Sequence, residues 1–143
     1  MKAILLGTLL MITLPSCQGT RPENLGIDSQ KQLTKCPSSP NCVVSFYEQN
    51  KDHFIDPIEY QSEPQKMKER LKSYLASRKD ATLIKEDNLY LYYEFTTPLL
   101  KFVDDVEFSF HRPGLIDIRS ASRIGHSDLG KNRKRLEEIR FKF

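Results

Sequence analysis

The chain has 143 residues, a length suited to one domain, and its 38% hydrophobic and 29% charged content is ordinary for a globular protein. A formal charge of +3 is too small to point to nucleic acid as a partner. No repeat at a period of about 20–50 residues and no low-complexity segment occurs, which excludes solenoids and repeat arrays.

Residues 1–16 read as a signal peptide. Lys2 supplies the positive start, and residues 3–14 are all apolar or small. That run is too short to span a bilayer as a helix and has the length of a signal-peptide core. It ends Leu14-Pro15-Ser16-Cys17, which resembles the bacterial lipobox, although Pro15 is an unusual occupant. On that reading Cys17 is acylated, with chains of the palmitate kind, and becomes the mature N-terminus. An ordinary secretory signal with an incidental Cys17 is the competing reading. Gln18 rather than Asp after the cysteine resembles lipoproteins sorted to the outer membrane. The expectation is therefore a cell-envelope protein, held on the outer membrane by its lipid and facing the periplasm. Residues 17–34 have few large apolar side chains and contain Gly, Pro, Asn and Ser; they read as a flexible tether. Residues 35–143 remain as a single α+β domain.

Once Cys17 carries lipid, Cys36 and Cys42 are left in an oxidising compartment, which favours a disulfide between them. No second Cys/His pair has zinc-like spacing, and a catalytic thiol working with His53 has nothing local to lower its pKa. Residues 56–60 read as a short strand. Ser62 and Gln65 have capping-box spacing, and Pro64 suits the first turn of a helix through about Arg78. Met67, Leu71, Tyr74 and Leu75 recur at helical spacing and form its apolar face.

Four strand-like runs follow. Residues 82–86 and 89–95 flank Asp87-Asn88, a candidate hairpin turn that would set Ile84 opposite Leu91 and Thr82 opposite Tyr93. Leu89, Leu91, Tyr93 and Phe95 then face the core, while Tyr90, Tyr92 and Glu94 point outward. Residues 102–110 and 115–122 pair through a three-residue Arg112-Pro113-Gly114 loop, with Glu107 opposite Arg119. A last helix begins after Ser127-Asp128, either of which can cap it, with Leu129, Leu136, Ile139 and Phe143 along its inner side. The order is β-α-β-β-β-β-α: an α+β fold with a four- to five-stranded antiparallel sheet and two helices on one face. That order is similar to the fold of the TATA-box-binding protein, a likeness of architecture that carries no function.

The runs DDVEF and RSASRIGHSDLGKNRKRLEEI, with CPSSPNCV upstream, resemble the domain-of-unknown-function 1499 family. The resemblance covers roughly Lys35 to Phe143. It implies a domain boundary and no biochemical activity.

The same stretch concentrates the candidate site residues. Asp104 and Asp105 are adjacent on a strand, so they point to opposite faces and cannot share a proton. Asp105 and Glu107 share a face about 6.6 Å apart along the strand, approaching the carboxylate separation of inverting glycosidases. Arg119 and Arg123 lie across from them, so the bland reading is paired charges on a solvated sheet face. Asp104 falls on the apolar face with Ser120 and Ser122. Its candidate partners are Ser122, Arg123, the N–H groups of Ile124 and Gly125, Asn132 and Arg133; Asp128 and Arg135 complete the cluster. Asp104 is then either a lock between hairpin and helix or a ligand-binding or catalytic carboxylate. Ser120, Ser122, Ser127, His126 and Asp128 lack the spacing of a hydrolase triad, and no nucleophile elbow occurs. His53, His111 and His126 are scattered, so no metal site is expected, and no phosphate or dinucleotide loop points to a cofactor. The basic helix KNRKRLEEIR suits a solvated face, anionic headgroups or envelope polymers; export argues against nucleic acid. Two functions compete. One is a lipid-anchored binding or structural module with a lipid, polymer or protein partner. The other is a hydrolase-like envelope enzyme using Asp104, Asp105 or Glu107 with Arg119 and Arg123.

Overall fold

The computed structural model describes residues 18–46 and 50–143; Cys17, the expected acylation site, lies outside the described residues. The elements are β1 (Cys42–Val44), β2 (Ile58–Glu59), α1 (Pro64–Ala76), β3 (Ala81–Asp87), β4 (Tyr90–Thr96), β5 (Val103–Arg112), β6 (Leu115–Ser122) and α2 (Lys131–Arg140). Among the described residues they form an α+β fold. Its six-stranded antiparallel sheet runs β1-β6-β5-β4-β3, with β2 pairing on β6 beside β1. β1 is the strand that sequence pattern missed, because three residues are too few to show an alternation.

Both helices cover one face. Met67, Leu71 and Leu75 of α1 and Leu136 and Ile139 of α2 pack with Leu91, Tyr93, Phe95, Val106, Phe108, Phe110, Ile116 and Ile118 in one core. The strand period of two sends these residues to the same side, as the alternation predicts. Glu107 pairs with Arg119 in the register expected.

The hairpin ends differ from expectation in detail. Asp87 pairs with Tyr90, so the β3–β4 turn is Asn88-Leu89 rather than Asp87-Asn88. Thr82 consequently lies opposite Glu94, and a bulge between Leu83 and Lys85 sends Ile84 to the second face, against Tyr90 and Tyr92. Arg112 pairs with Leu115, making the β5–β6 turn a two-residue Pro113-Gly114 with Gly114 at φ +75°. A register shift between Ser109 and Arg112 absorbs the extra residue. This turn uses the fixed φ of proline and the left-handed freedom of glycine in sequence.

The capping box at α1 does not form. Glu63 is the N-cap, without a side-chain cap, and the Ser62 hydroxyl lies nearest the Glu63 carbonyl oxygen at 3.5 Å. At α2 the cap is displaced outward. Asp128 accepts from the N–H groups of Gly130 (3.0 Å) and Asn132 (2.7 Å), while Gly130 occupies the N-cap with φ +76°. Leu129, expected on the inner side of this helix, instead precedes it and is 89% exposed.

Residues 18–34, expected as a tether, pack across the second face of the sheet. Ile27 bridges Leu33, and the turn between them is held by Asp28, whose carboxylate accepts from the N–H groups of Gln30 and Gln32. Leu33 is buried with Val44, Tyr90 and Tyr92, and Leu25 and Ile27 pack beside them. The sheet is thus covered on both sides. The Cys36–Cys42 disulfide (Cα–Cα 5.6 Å) joins this covering segment to β1.

Candidate functional site

Asp104, Asp105, Glu107, Arg119, Arg123 and Arg135 divide between two clusters on opposite faces of the sheet, while Asp117 pairs separately with Arg112. Asp104 faces the helices and is 4% exposed. Its carboxylate accepts from Arg135 Nη2 (2.6 Å) and from the Ser122 hydroxyl (2.5 Å). Arg135 also donates to Asn132 Oδ1 (2.8 Å) and lies over the Phe95 ring at 4.8 Å. Asn132, buried in the first turn of α2, accepts from the Ser120 hydroxyl. Its amide donates to the Ser122 hydroxyl and to the Asn41 carbonyl, each at 2.9 Å. Asn41 in turn donates to the Gly125 carbonyl at 2.7 Å. The network therefore ties β5, β6, α2 and the disulfide loop together, and every oxygen of Asp104 has a partner inside the fold.

The other face carries Asp105, Glu107, Arg119 and Arg123, none of them solvated. Glu107 is fully buried and accepts from Arg119 (3.0 Å), the Tyr90 hydroxyl (2.7 Å) and the Gly26 N–H (2.6 Å). Asp105 is 1% exposed and accepts from Arg123 Nη2 (2.7 Å) and the Tyr92 hydroxyl (2.6 Å). Arg123 bridges Asp105 to Glu94, which Arg21 also reaches at 2.9 Å. Arg119 Nε has no hydrogen-bond partner among the described residues.

This corrects the expected solvated face: residues 18–34 exclude water from it, so its charges must pair with one another. Burial pushes the Tyr90 and Tyr92 phenols well above their ordinary range, and the Glu107 and Asp105 carboxylates beside them add to the shift. Burial alone would raise the Glu94 carboxyl, yet hydrogen bonds from Arg123 and Arg21 hold it below its ordinary value. Burial likewise opposes the charge on Arg123, and its bonds to Asp105 and Glu94 keep that pKa above the usual guanidinium range.

Of the candidate residues, Asp104, Ser120, Ser122, Asn132 and Arg135 come together, and Asp105, Glu107, Arg119 and Arg123 assemble separately. Asp128 is spent on the α2 cap. Arg133 and Arg123, expected as partners of Asp104, go elsewhere. Arg133 donates to the carbonyls of Phe54 (2.7 Å) and Asp52 (3.0 Å). His53 Nδ1 lies 2.9 Å from the Cys42 carbonyl oxygen, beside a cysteine that is already in the disulfide. His111 Nδ1 meets the Ser109 hydroxyl at 3.0 Å, and His126 is exposed. Among the described residues no cluster of three or more His, Cys, Asp or Glu side chains is placed to hold a metal ion.

Sequence reasoning missed Tyr90, Tyr92, Glu94, Arg21, Gly26 and Asn41. A signal existed for the β4 residues, since Tyr90, Tyr92 and Glu94 alternate on the supposedly wet face, and two tyrosines there imply a cover.

A cleft opens on the Asp104 side. It has a volume of about 260 Å³ between the 97–102 and 123–131 loops and is lined by Phe102, Val103, Ile124 and Leu129 together with Asp104 and Ser122. The profile of a family described as "Protein of unknown function (DUF1499)" matches residues 32–143. No curated protein and no solved structure matches the chain, so the likeness to the TATA-box-binding-protein fold rests on element order alone. With the matched span covering the whole sheet and both helices, the chain belongs to the DUF1499 family.

Proposed function

We propose that this protein is a lipid-anchored module of the bacterial cell envelope that binds or braces a partner and carries out no chemistry of its own. The observation that supports this is the internal pairing of all three candidate carboxylates. Asp104 is held by Arg135 and Ser122, Asp105 by Arg123 and Tyr92, and Glu107 by Arg119, Tyr90 and Gly26. A general acid or base must reach substrate directly or through one water. Asp105 and Glu107 lie beneath the N-terminal segment, and both oxygens of each already accept hydrogen bonds from within the fold.

Anchoring follows from the Leu14-Pro15-Ser16-Cys17 run, with several acyl chains on Cys17 and residence on the periplasmic side of the outer membrane. The partner is an envelope lipid, polymer or protein. The competing enzyme reading keeps one observation in its favour, the cleft that opens on Asp104 and Ser122.

Purification from native membranes in mild detergent tests both parts. Intact mass should show an N-terminus at Cys17 carrying acyl chains, and Cys17→Ser should abolish the modification and release the protein from the membrane fraction. Mass spectrometry of the same preparation should show a bound molecule unchanged after prolonged incubation. An unmodified Cys17 would remove the anchor, and steady conversion of the co-purified molecule, lost in Asp104→Asn, would establish the enzyme.

A further inference from the structure

We infer that one end of the sheet is a membrane-seating surface, formed by the 97–102 loop and the 123–131 loop, and that it rests on the headgroup region of an anionic phospholipid bilayer. The inference adds an orientation to the lipid-anchored reading and partly rests on it.

Four aliphatic side chains are exposed on these two loops among the described residues: Leu99 (87% exposed), Leu129 (89%), Leu100 (57%) and, beside Gly19, Ile124 (38%). Scattered exposed leucines need no explanation, but Ile124 and Leu129 line the cleft, and Leu99 and Leu100 belong to the loop whose Thr97 and Phe102 line its other side. The backbone presents them deliberately. The Thr97 N–H donates to the Phe102 carbonyl and the Phe102 N–H to the Thr97 hydroxyl, each at 2.9 Å, so Leu99 and Leu100 sit at the tip of a pinned loop. Leu129 adopts φ +56°, a conformation that costs a branched side chain free energy and holds it outside the helix it precedes. The cleft walls of Phe102 and Val103 continue the apolar surface inward.

Two observations select a bilayer as the occupant. The first is the position of Gly19. A Cβ added at Gly19 would come 2.7 Å from Ile124 Cγ2, so Gly19 lies against the Ile124 edge of this surface. Cys17 is two residues earlier, within about 7.6 Å of Gly19 by covalent geometry. An acylated Cys17 therefore delivers its chains at this end of the molecule and leaves little freedom to turn another face to the lipid. The second is charge. Lys101 and Lys131, both exposed, flank the leucines, while the Asp128 carboxylate is occupied by the α2 cap. Aliphatic tips beside lysines match the boundary between acyl chains and anionic headgroups.

The chain contains no tryptophan, so a single introduced one reports its own surroundings. Leu99→Trp and Phe141→Trp are made in the full chain, expressed with processing, purified from membranes and reconstituted into phosphatidylethanolamine/phosphatidylglycerol vesicles with or without brominated acyl chains. Phe141 is the control, 90% exposed just beyond the far end of α2. The Leu99→Trp protein should show blue-shifted emission that brominated lipid quenches at least two-fold, with the Phe141→Trp protein unchanged. Adding Lys101→Gln and Lys131→Gln should weaken the quenching. Acylation is read separately by intact mass. A processed chain lacking acyl groups is mixed with the same vesicles and should still show quenching at Leu99→Trp, with affinity about five-fold lower for each lysine removed. No quenching at Leu99→Trp, or equal quenching at both positions, would overturn the inference. So would a blue shift without vesicles that grows with protein concentration, which would assign the leucines to a second copy of the chain.

Discussion

Asp104→Asn separates a structural lock from a functional carboxylate by the sign of one melting experiment. The substitution keeps the shape of the side chain and removes its charge. It leaves Arg135, whose side chain is 11% exposed, without the carboxylate 2.6 Å from its Nη2. The Ser122 hydroxyl loses a charged acceptor and keeps a neutral one. Hydrogen bonds to charged groups contribute about 1.5–3 kcal/mol, and leaving a buried partner charge uncompensated costs about 3–5 kcal/mol. Asparagine retains one acceptor, so a loss of about 2–3 kcal/mol is the expected size. For a domain of this length that lowers the thermal midpoint by roughly 5–10 °C. Circular dichroism melts of wild type, Asp104→Asn, Arg135→Gln and the double variant measure it, and the double variant should cost less than the sum of the single ones. A carboxylate kept for a ligand would instead leave stability unchanged or raise it when its charge is removed. An unchanged or higher midpoint in Asp104→Asn, or strict additivity with Arg135→Gln, would refute the lock.

Gly26→Ala should destabilise the fold by about 1–3 kcal/mol although its Cβ meets nothing within 4 Å. The backbone there has φ +115°, and its N–H donates to Glu107; a urea midpoint equal to wild type would show that this position does not need the freedom of glycine. Alkaline pH should also destabilise the protein, because the Tyr90 and Tyr92 phenols are shifted upward in the fold and ionise first in the unfolded chain. Their contribution is complete below about pH 10, the ordinary tyrosine pKa, and is lost as pH rises beyond it, by about 1.4 kcal/mol per pH unit for each. Urea midpoints between pH 9 and 12 should therefore fall, and less steeply in Tyr90→Phe; equal slopes would contradict the assignment.

The helix-facing core could be read from the sequence because alternation in β4, β5 and β6 and the spacing in both helices name the same apolar set. The Glu107–Arg119 register could be read for the same reason. What escaped was the cover on the second face. Leu25, Ile27 and Leu33 are too sparse to form a periodic pattern, and the turn that brings them together depends on Asp28 side-chain bonds. Without that cover, Asp105 and Glu107 looked solvated, and Tyr90 and Tyr92 looked merely outward. The β5–β6 turn was misplaced because the register shift between Ser109 and Arg112 has no marker in the pattern, and the β3–β4 turn because the ladder continues through Asp87 and Tyr90. Arg135 was in the cluster expected from sequence, but its pairing with Asp104 depended on where α2 starts. The displaced Asp128 cap fixes that start.

The acids of residues 104–107 are occupied by fixed arginines within the fold. Guanidinium groups held by two carboxylates, or by a carboxylate and a side-chain amide, cannot rotate freely about the Nε–Cζ bond. Nitrogen NMR of the arginine side chains at neutral pH reads this directly in the native protein. Arg123 and Arg135 should give separately resolved, slowly exchanging Nη signals, and Asp105→Asn and Asp104→Asn should each collapse the signals of its own partner only. Averaged, rapidly exchanging Nη signals from both arginines in the wild type would contradict the claim.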